Sequence, residues 1–94
     1  MTHTFTLNIV TPSKVIHEGQ SSSLVAPSEL GYLGVLVDHA PLVTNVVSGR
    51  ITTRDPSGKN IQWDYQGTGF LEVLNNTVTL LLDQVPASRE VKQD

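Results

Sequence analysis

The sequence predicts an all-β domain, and three observations carry that prediction. Apolar and polar residues alternate in short stretches, as where Phe5, Leu7 and Ile9 interleave with Thr4, Thr6 and Asn8; this is the period-2 pattern of a strand with one buried face. Turn-forming clusters recur, among them Thr11-Pro12-Ser13, Asp55-Pro56-Ser57-Gly58 and Asn75-Asn76. No window repeats apolar residues at helical spacing for several turns, so no amphipathic helix is expected. Short strands separated by turn signals roughly every 8–12 residues indicate a sandwich or barrel.

The first strand carries Phe5, Leu7 and Ile9 and stops at Thr11-Pro12-Ser13, because proline has no N–H for the next ladder bond. Lys14 to His17 forms a short second strand closed by Glu18-Gly19, and Ser23 to Ala26 a third, stopped by Pro27. Gly31 and Gly34 bracket Tyr32-Leu33, after which Val35 to Val37 reads as extended. His39-Ala40-Pro41 is a turn, since the residue before a proline is pushed out of the helical region. Leu42 to Val47 and Arg50 to Arg54 are strands separated by Ser48-Gly49. Asp55-Pro56-Ser57-Gly58 closes a hairpin, with proline and glycine at positions suited to their dihedrals. On its far side Ile61, Trp63 and Tyr65 share an apolar face, which places Trp63 in the core. Gly67 and Gly69 mark a backbone bend before Phe70 to Leu74, and Asn75-Asn76 turns the chain into Thr77 to Asp83. The domain is expected to occupy residues 1–86, and residues 87–94 a polar tail with at most one helical turn.

Composition bounds the function. The chain has 94 residues, 38% hydrophobic and 16% charged, which suits one globular domain with a modest core. Its formal net charge of −3 and its scattered Lys14, Arg50, Arg54, Lys59, Arg89 and Lys92 give no footprint for nucleic acid. Without cysteine, neither a disulfide nor a thiolate metal site is available. No apolar run approaches the roughly 20 residues of a membrane span, so membrane association is expected only through a partner.

No catalytic or metal constellation is expected. Asp38-His39 with Ser48 or Thr44 invites a nucleophilic reading, but adjacent residues on a strand or turn diverge, whereas a catalytic histidine is held between acid and nucleophile. His3, His17 and His39 lack metal-ligand spacing. Gly67-Thr68-Gly69 lacks the lysine and the strand–loop–helix setting of a phosphate cradle. From the residues alone, the chain is a β module whose function lies in its surfaces. A free-standing ligand- or peptide-binding sandwich is the alternative reading, and a small hydrolase using Asp38 and His39 the remote one.

Three stretches narrow that reading. Leu7-Asn8-Ile9-Val10-Thr11-Pro12-Ser13-Lys14, followed by Gly19, resembles the opening of F-type ATP synthase epsilon subunits. Gly31-Tyr32-Leu33-Gly34-Val35-Leu36-Val37-Asp38-His39-Ala40-Pro41-Leu42 is similar to the family's Gly-x-Leu-Gly segment leading to His-Ala-Pro-Leu. Gly69-Phe70-Leu71-Glu72-Val73, then Asn75-Asn76 and Val78-Thr79-Leu80-Leu81, resembles its glycine–aromatic–Glu-Val strand, turn and final strand. Together these cover about residues 5–83.

The resemblance implies a flattened β-sandwich of about ten short strands. It implies a non-catalytic rotor subunit of a proton-translocating synthase, without cofactor or metal, joining the gamma subunit to the c ring and supporting the coupling of ion flow to ATP synthesis. Thr11, His39, Ala40, Pro41, Leu42 and Thr44 match the motif that faces gamma, and Glu29, Leu30, Gly31, Tyr32 and Leu33 the loop that faces the c ring. The implied location is peripheral, on the cytoplasmic face of the bacterial inner membrane, with no independent homo-oligomer. Tyr32 stands where many members carry an acid, Leu30 lengthens the loop, and Val37-Asp38 replaces a common Pro-Gly. Many members continue into two helices that block ATP hydrolysis and in some bind ATP; the sequence ends at Asp94, so a short form without that inhibition is expected.

Overall fold

The structure, a computed structural model, describes residues 3–89. Ten strands account for most of them: β1 (Phe5–Val10), β2 (Val15–Ser21), β3 (Ser23–Ser28), β4 (Gly31–Leu36), β5 (Leu42–Val46), β6 (Gly49–Arg54), β7 (Asn60–Tyr65), β8 (Gly69–Leu74), β9 (Thr77–Leu82) and β10 (Ala87–Arg89). Hydrogen bonding links them into two halves, β4-β3-β6-β7-β10 and β5-β8-β9-β1-β2, joined through the single bridge Ser28↔Val46. All pairings are antiparallel except β1 with β9, which runs parallel from Thr6↔Thr77 to Val10↔Leu81. The molecule measures 36 × 34 × 26 Å along its principal axes, a flattened slab. The all-β expectation and the sandwich hold.

Alternation builds the core. In β1 the burial strictly follows the sequence pattern, with Phe5, Leu7 and Ile9 buried and Thr6, Asn8 and Val10 half-buried on the other side. Leu24, Val35, Ile51, Trp63 and Tyr65 meet Leu71, Val73, Val78, Leu80 and Leu82 from the opposite sheet. Each fully buried Leu, Ile or Val contributes on the order of 1.5–3 kcal/mol. Trp63 is in the core, as its strand pattern implies, with the His17 ring edge-on at 5.5 Å. Two buried hydroxyls are paired rather than stranded: Thr53 Oγ1 lies 2.8 Å from Ser21 Oγ and 2.8 Å from the Ser23 carbonyl.

Four elements differ from expectation. Strand β2 runs on through Gly19 to Ser21, because that glycine is an ordinary ladder residue opposite Leu7. Strand β3 continues through Pro27. The Pro27 carbonyl accepts from Val47 N at 3.0 Å, so the ring nitrogen lies on the same strand edge. That point falls between the β6 ladder, which ends at Val25, and the bridge at Ser28, where an N–H would have no ladder partner. Strand β4 starts at Gly31, leaving Glu29-Leu30 as a two-residue hairpin turn, so Gly31, Tyr32 and Leu33 are strand rather than loop. The expected tail begins instead with β10, whose Ala87, Ser88 and Arg89 pair with Asp64, Trp63 and Gln62. Residues 90–94 lie outside the described residues.

Candidate functional site

The outer face of the β5-β8-β9-β1-β2 sheet carries exposed apolar side chains among its polar ones, at positions that are ordinarily polar. Register places Asn45, Phe70, Leu81 and Val10 in one cross-strand row, and Val43, Glu72, Thr79, Asn8 and Glu18 in the next. Leu74, Thr77, Thr6 and Gln20 form a third. Phe70 is 55% exposed, Leu81 50%, Val43 68% and Leu74 49%. Val10, Pro12, Phe70 and Leu81 line a shallow groove of about 370 Å³. These side chains add nothing to the core, and burying them needs a second surface.

The opposite outer face is polar on β6 and β7, with Val25 exposed beside it on β3. Asp64 sits between Arg50 at 3.5 Å and Arg89 at 3.3 Å, and Arg54 Nε donates to Asn60 Oδ1 at 3.1 Å. Such exposed pairs contribute about 0–1 kcal/mol each. Tyr32 crosses this face from β4, its ring exposed and its hydroxyl accepting from Arg50 N at 2.9 Å.

The two ends of the strands are built differently. At one end Thr11 staples the β1–β2 loop: its N–H donates to the Lys14 carbonyl at 2.9 Å, and its hydroxyl accepts from Lys14 N at 3.1 Å. Beside it, the Asp83 carboxylate accepts from the Tyr65 hydroxyl, Thr68 N and Thr68 Oγ1. The Tyr65 hydroxyl, then the Thr68 N–H, hold the Asp83 carboxyl below the usual range, while burial, then the facing Asp83, push the Tyr65 hydroxyl up. Gly67 takes a φ of +148°, and a Cβ there would meet the Tyr65 hydroxyl at 2.8 Å, so the expected bend is a close-packed corner. Glu29 accepts from Asn45 Nδ2 at 2.8 Å, and Leu30 projects fully into solvent at the β3–β4 turn.

At the other end Asp38 adopts a φ of 62°, the conformation that glycine would supply and that aspartate tolerates. Its N–H donates to Asn76 Oδ1 at 2.8 Å, and Asn76 Nδ2 donates to the Thr4 carbonyl at 3.0 Å, so one asparagine ties the β4–β5 loop to the start of β1. His39 Nδ1 lies 2.8 Å from the Ala40 carbonyl, and neither Ser48 nor Thr44 is among its hydrogen-bond partners. Among the described residues no three acidic, histidine or cysteine side chains cluster as metal ligands do. No described helix is long and apolar enough to cross a membrane.

The residues expected to face gamma therefore do not form one cluster. Thr11 lies at one end of the apolar face, and His39, Ala40 and Pro41 at the other. Leu42 and Thr44 are half-buried on the core-facing side of β5, with Val43 pointing outward between them. The residues expected to face the c ring split between the Glu29-Leu30 turn and the first half of β4. Sequence reading passed over Val10, Val43, Phe70, Leu74 and Leu81. Their signal was the apolar doublet: Ile9-Val10, Leu42-Val43, Phe70-Leu71, Val73-Leu74 and Leu80-Leu81 break the alternation, as strands covered on both faces do.

Residues 4–87 match the family model of the ATP synthase Delta/Epsilon chain β-sandwich domain. The chain belongs to that family. It is similar to the ATP synthase epsilon chain of Moorella thermoacetica, 38% identical over 85 residues that make up 90% of this chain and 63% of the relative. The epsilon chain of Gloeothece citriformis is 34% identical over 91 residues, 97% of this chain and 64% of that one. The chain thus spans a little under two thirds of the length of these curated relatives. A chain in the mitochondrial ATP synthase of Euglena gracilis, solved with its OSCP, F1 and c-ring parts, superposes with a TM-score of 0.82 at 20% identity, over 92% of this chain and 55% of its own. One in the central stalk and c-ring structure of the Tetrahymena thermophila enzyme gives 0.69 at 15%, over 84% and 63%. At those identities the superpositions establish the shared fold.

Proposed function

We propose that this domain is a non-catalytic part of the central stalk of a proton-translocating ATP synthase, fastening the gamma subunit to the c ring and so supporting the coupling of ion flow to ATP synthesis. The observation that carries the reading is the exposed apolar face of β5, β8, β9 and β1 on a sandwich of the Delta/Epsilon family. That face, bounded by Thr11 at one end and His39-Ala40-Pro41 at the other, receives gamma. The Glu29–Leu33 hairpin, with Leu30 at its tip, meets the c ring. A slab with a continuous core transmits force without a pocket, which suits a mechanical joint better than a ligand module.

On this reading the protein is peripheral to the membrane, on the cytoplasmic face of a bacterial inner membrane, and held there by its complex. It uses no cofactor, metal or nucleic acid and does not pair with itself. On the same reading this domain by itself leaves ATP hydrolysis unchanged. An affinity-tagged chain is expected to retrieve gamma and, from membranes, the whole synthase. Phe70→Ser with Leu81→Ser is expected to abolish that recovery, leaving membranes that hydrolyse ATP but pump poorly. Undiminished recovery of gamma by a folded double variant would remove this face from the function.

A further inference from the structure

We propose that Glu72 reads the charge of the partner: the surface that covers the apolar face presents a lysine or arginine at the point opposite this carboxylate. The inference rests on the reading of that face as the gamma-docking surface and adds the chemistry its occupant must have. Glu72 is exposed at the middle of β8, flanked in register by Val43 and Thr79, with Phe70 and Leu74 on either side along its own strand. Across the outward positions of all five strands the charged groups are Glu72 and, at the edge, Glu18; none is basic.

Among the described residues both salt bridges use Asp64, on the opposite face. The strand arginines, Arg50, Arg54 and Arg89, all face that way too. The sandwich therefore presents an apolar face of negative sign and a polar face rich in arginine.

An apolar partner closing over Phe70, Leu81, Val43 and Leu74 takes Glu72 out of water with them. A carboxylate buried without a counter-charge is strongly unfavourable, whereas one met by a hydrogen-bonded cation is tolerated and fixes register. The site therefore discriminates: apolar surfaces lacking a cation are rejected, and one bearing it is seated in a single orientation along the rows.

Binding of the chain to the gamma subunit is the test, measured for Glu72→Gln, Glu72→Lys and Phe70→Ser, each checked for unchanged melting. Wild-type binding should weaken as salt rises from about 50 mM to about 0.5 M, over which range screening of exposed charges becomes severe. Glu72→Lys should bind about tenfold more weakly or worse, and Glu72→Gln should flatten the salt response. A Lys→Glu or Arg→Glu change on gamma that restores the Glu72→Lys variant would identify the matching cation. Binding of Glu72→Lys within twofold of wild type, while Phe70→Ser loses it, overturns the charge proposal and leaves the docking face standing. Unchanged binding of Phe70→Ser defeats the docking reading itself, and the charge proposal with it.

Discussion

Asp83 and Tyr65 show how one corner of the molecule depends on a single carboxylate. Tyr65 is buried, and its hydroxyl donates toward Asp83 and accepts from Asp83 N at 3.1 Å, so the side chain ties the open end of the β8–β9 hairpin to β7. Tyr65→Phe should lose this charge-assisted pair and lower the urea midpoint. The hydrogen bonds that depress the Asp83 pKa stabilise the fold above its ordinary value of 3.8, and that contribution is lost as pH falls through the lower folded value. His17 acts in a different window. Burial lowers its pKa from 6.5, and its Nε2 is buried without a partner. The unfolded chain then takes up the proton first, so stability is unaffected above about pH 6.5 and declines below it until the folded ring also protonates. His17→Phe, which keeps an aromatic edge against Trp63, should flatten the melting temperature just below about pH 6.5. It should leave intact the acid limb to which Asp83 and Asp55, both with lowered carboxyl pKa values, contribute. A variant whose melting still fell across that interval as in wild type would show that another group titrates there.

At the scale of the strand, legibility followed the burial of faces. Strands β1, β7 and β9 could be read from Phe5-Leu7-Ile9, Ile61-Trp63-Tyr65 and Val78-Leu80-Leu82 because only one side of each enters the core. Strand β3 could not, because its continuation past Pro27 depends on which neighbour lies at that edge, a non-local fact. Nor could β10, where Ala87-Ser88-Arg89 is exposed and held by backbone pairing to β7 alone. The proposed docking face was only half legible: the family motif pointed to its ends, Thr11 and His39, but the outward apolar row needed the register to appear. Register also explains one glycine. Gly69 faces Leu82, and a Cβ there would press on the backbone carbonyl of Leu81. Backbone cannot swing aside as a side chain does, so Gly69→Ala should cost about 1–3 kcal/mol and lower the melting temperature by at least about 4 °C.

The whole molecule is closed by its first and ninth strands. Strand β1 inserts between β2 and β9, so the chain's early residues are held inside one sheet by a strand from late in the sequence. Pairing so distant in sequence costs loop-closure entropy before contacts repay it, which favours a slow, all-or-none transition over piecewise assembly. The two sheets share only one backbone bridge, so their unity rests on side chains: Leu7 and Ile9 from one, Trp63 and Ile51 from the other, all in one core. Leu7→Ala, at a residue with no exposed surface, should cost roughly 3–5 kcal/mol. Domains of this size hold about 5–15 kcal/mol in all, so that one change removes a large share. Trp63 reports on the sheet that Leu7 does not belong to. If the slab is a single mechanical body, Trp63 fluorescence and far-ultraviolet circular dichroism will shift to lower urea together, with coincident midpoints in wild type and variant. Separate midpoints in the variant would mean the sheets can come apart, which would count against the proposed role as a mechanical joint.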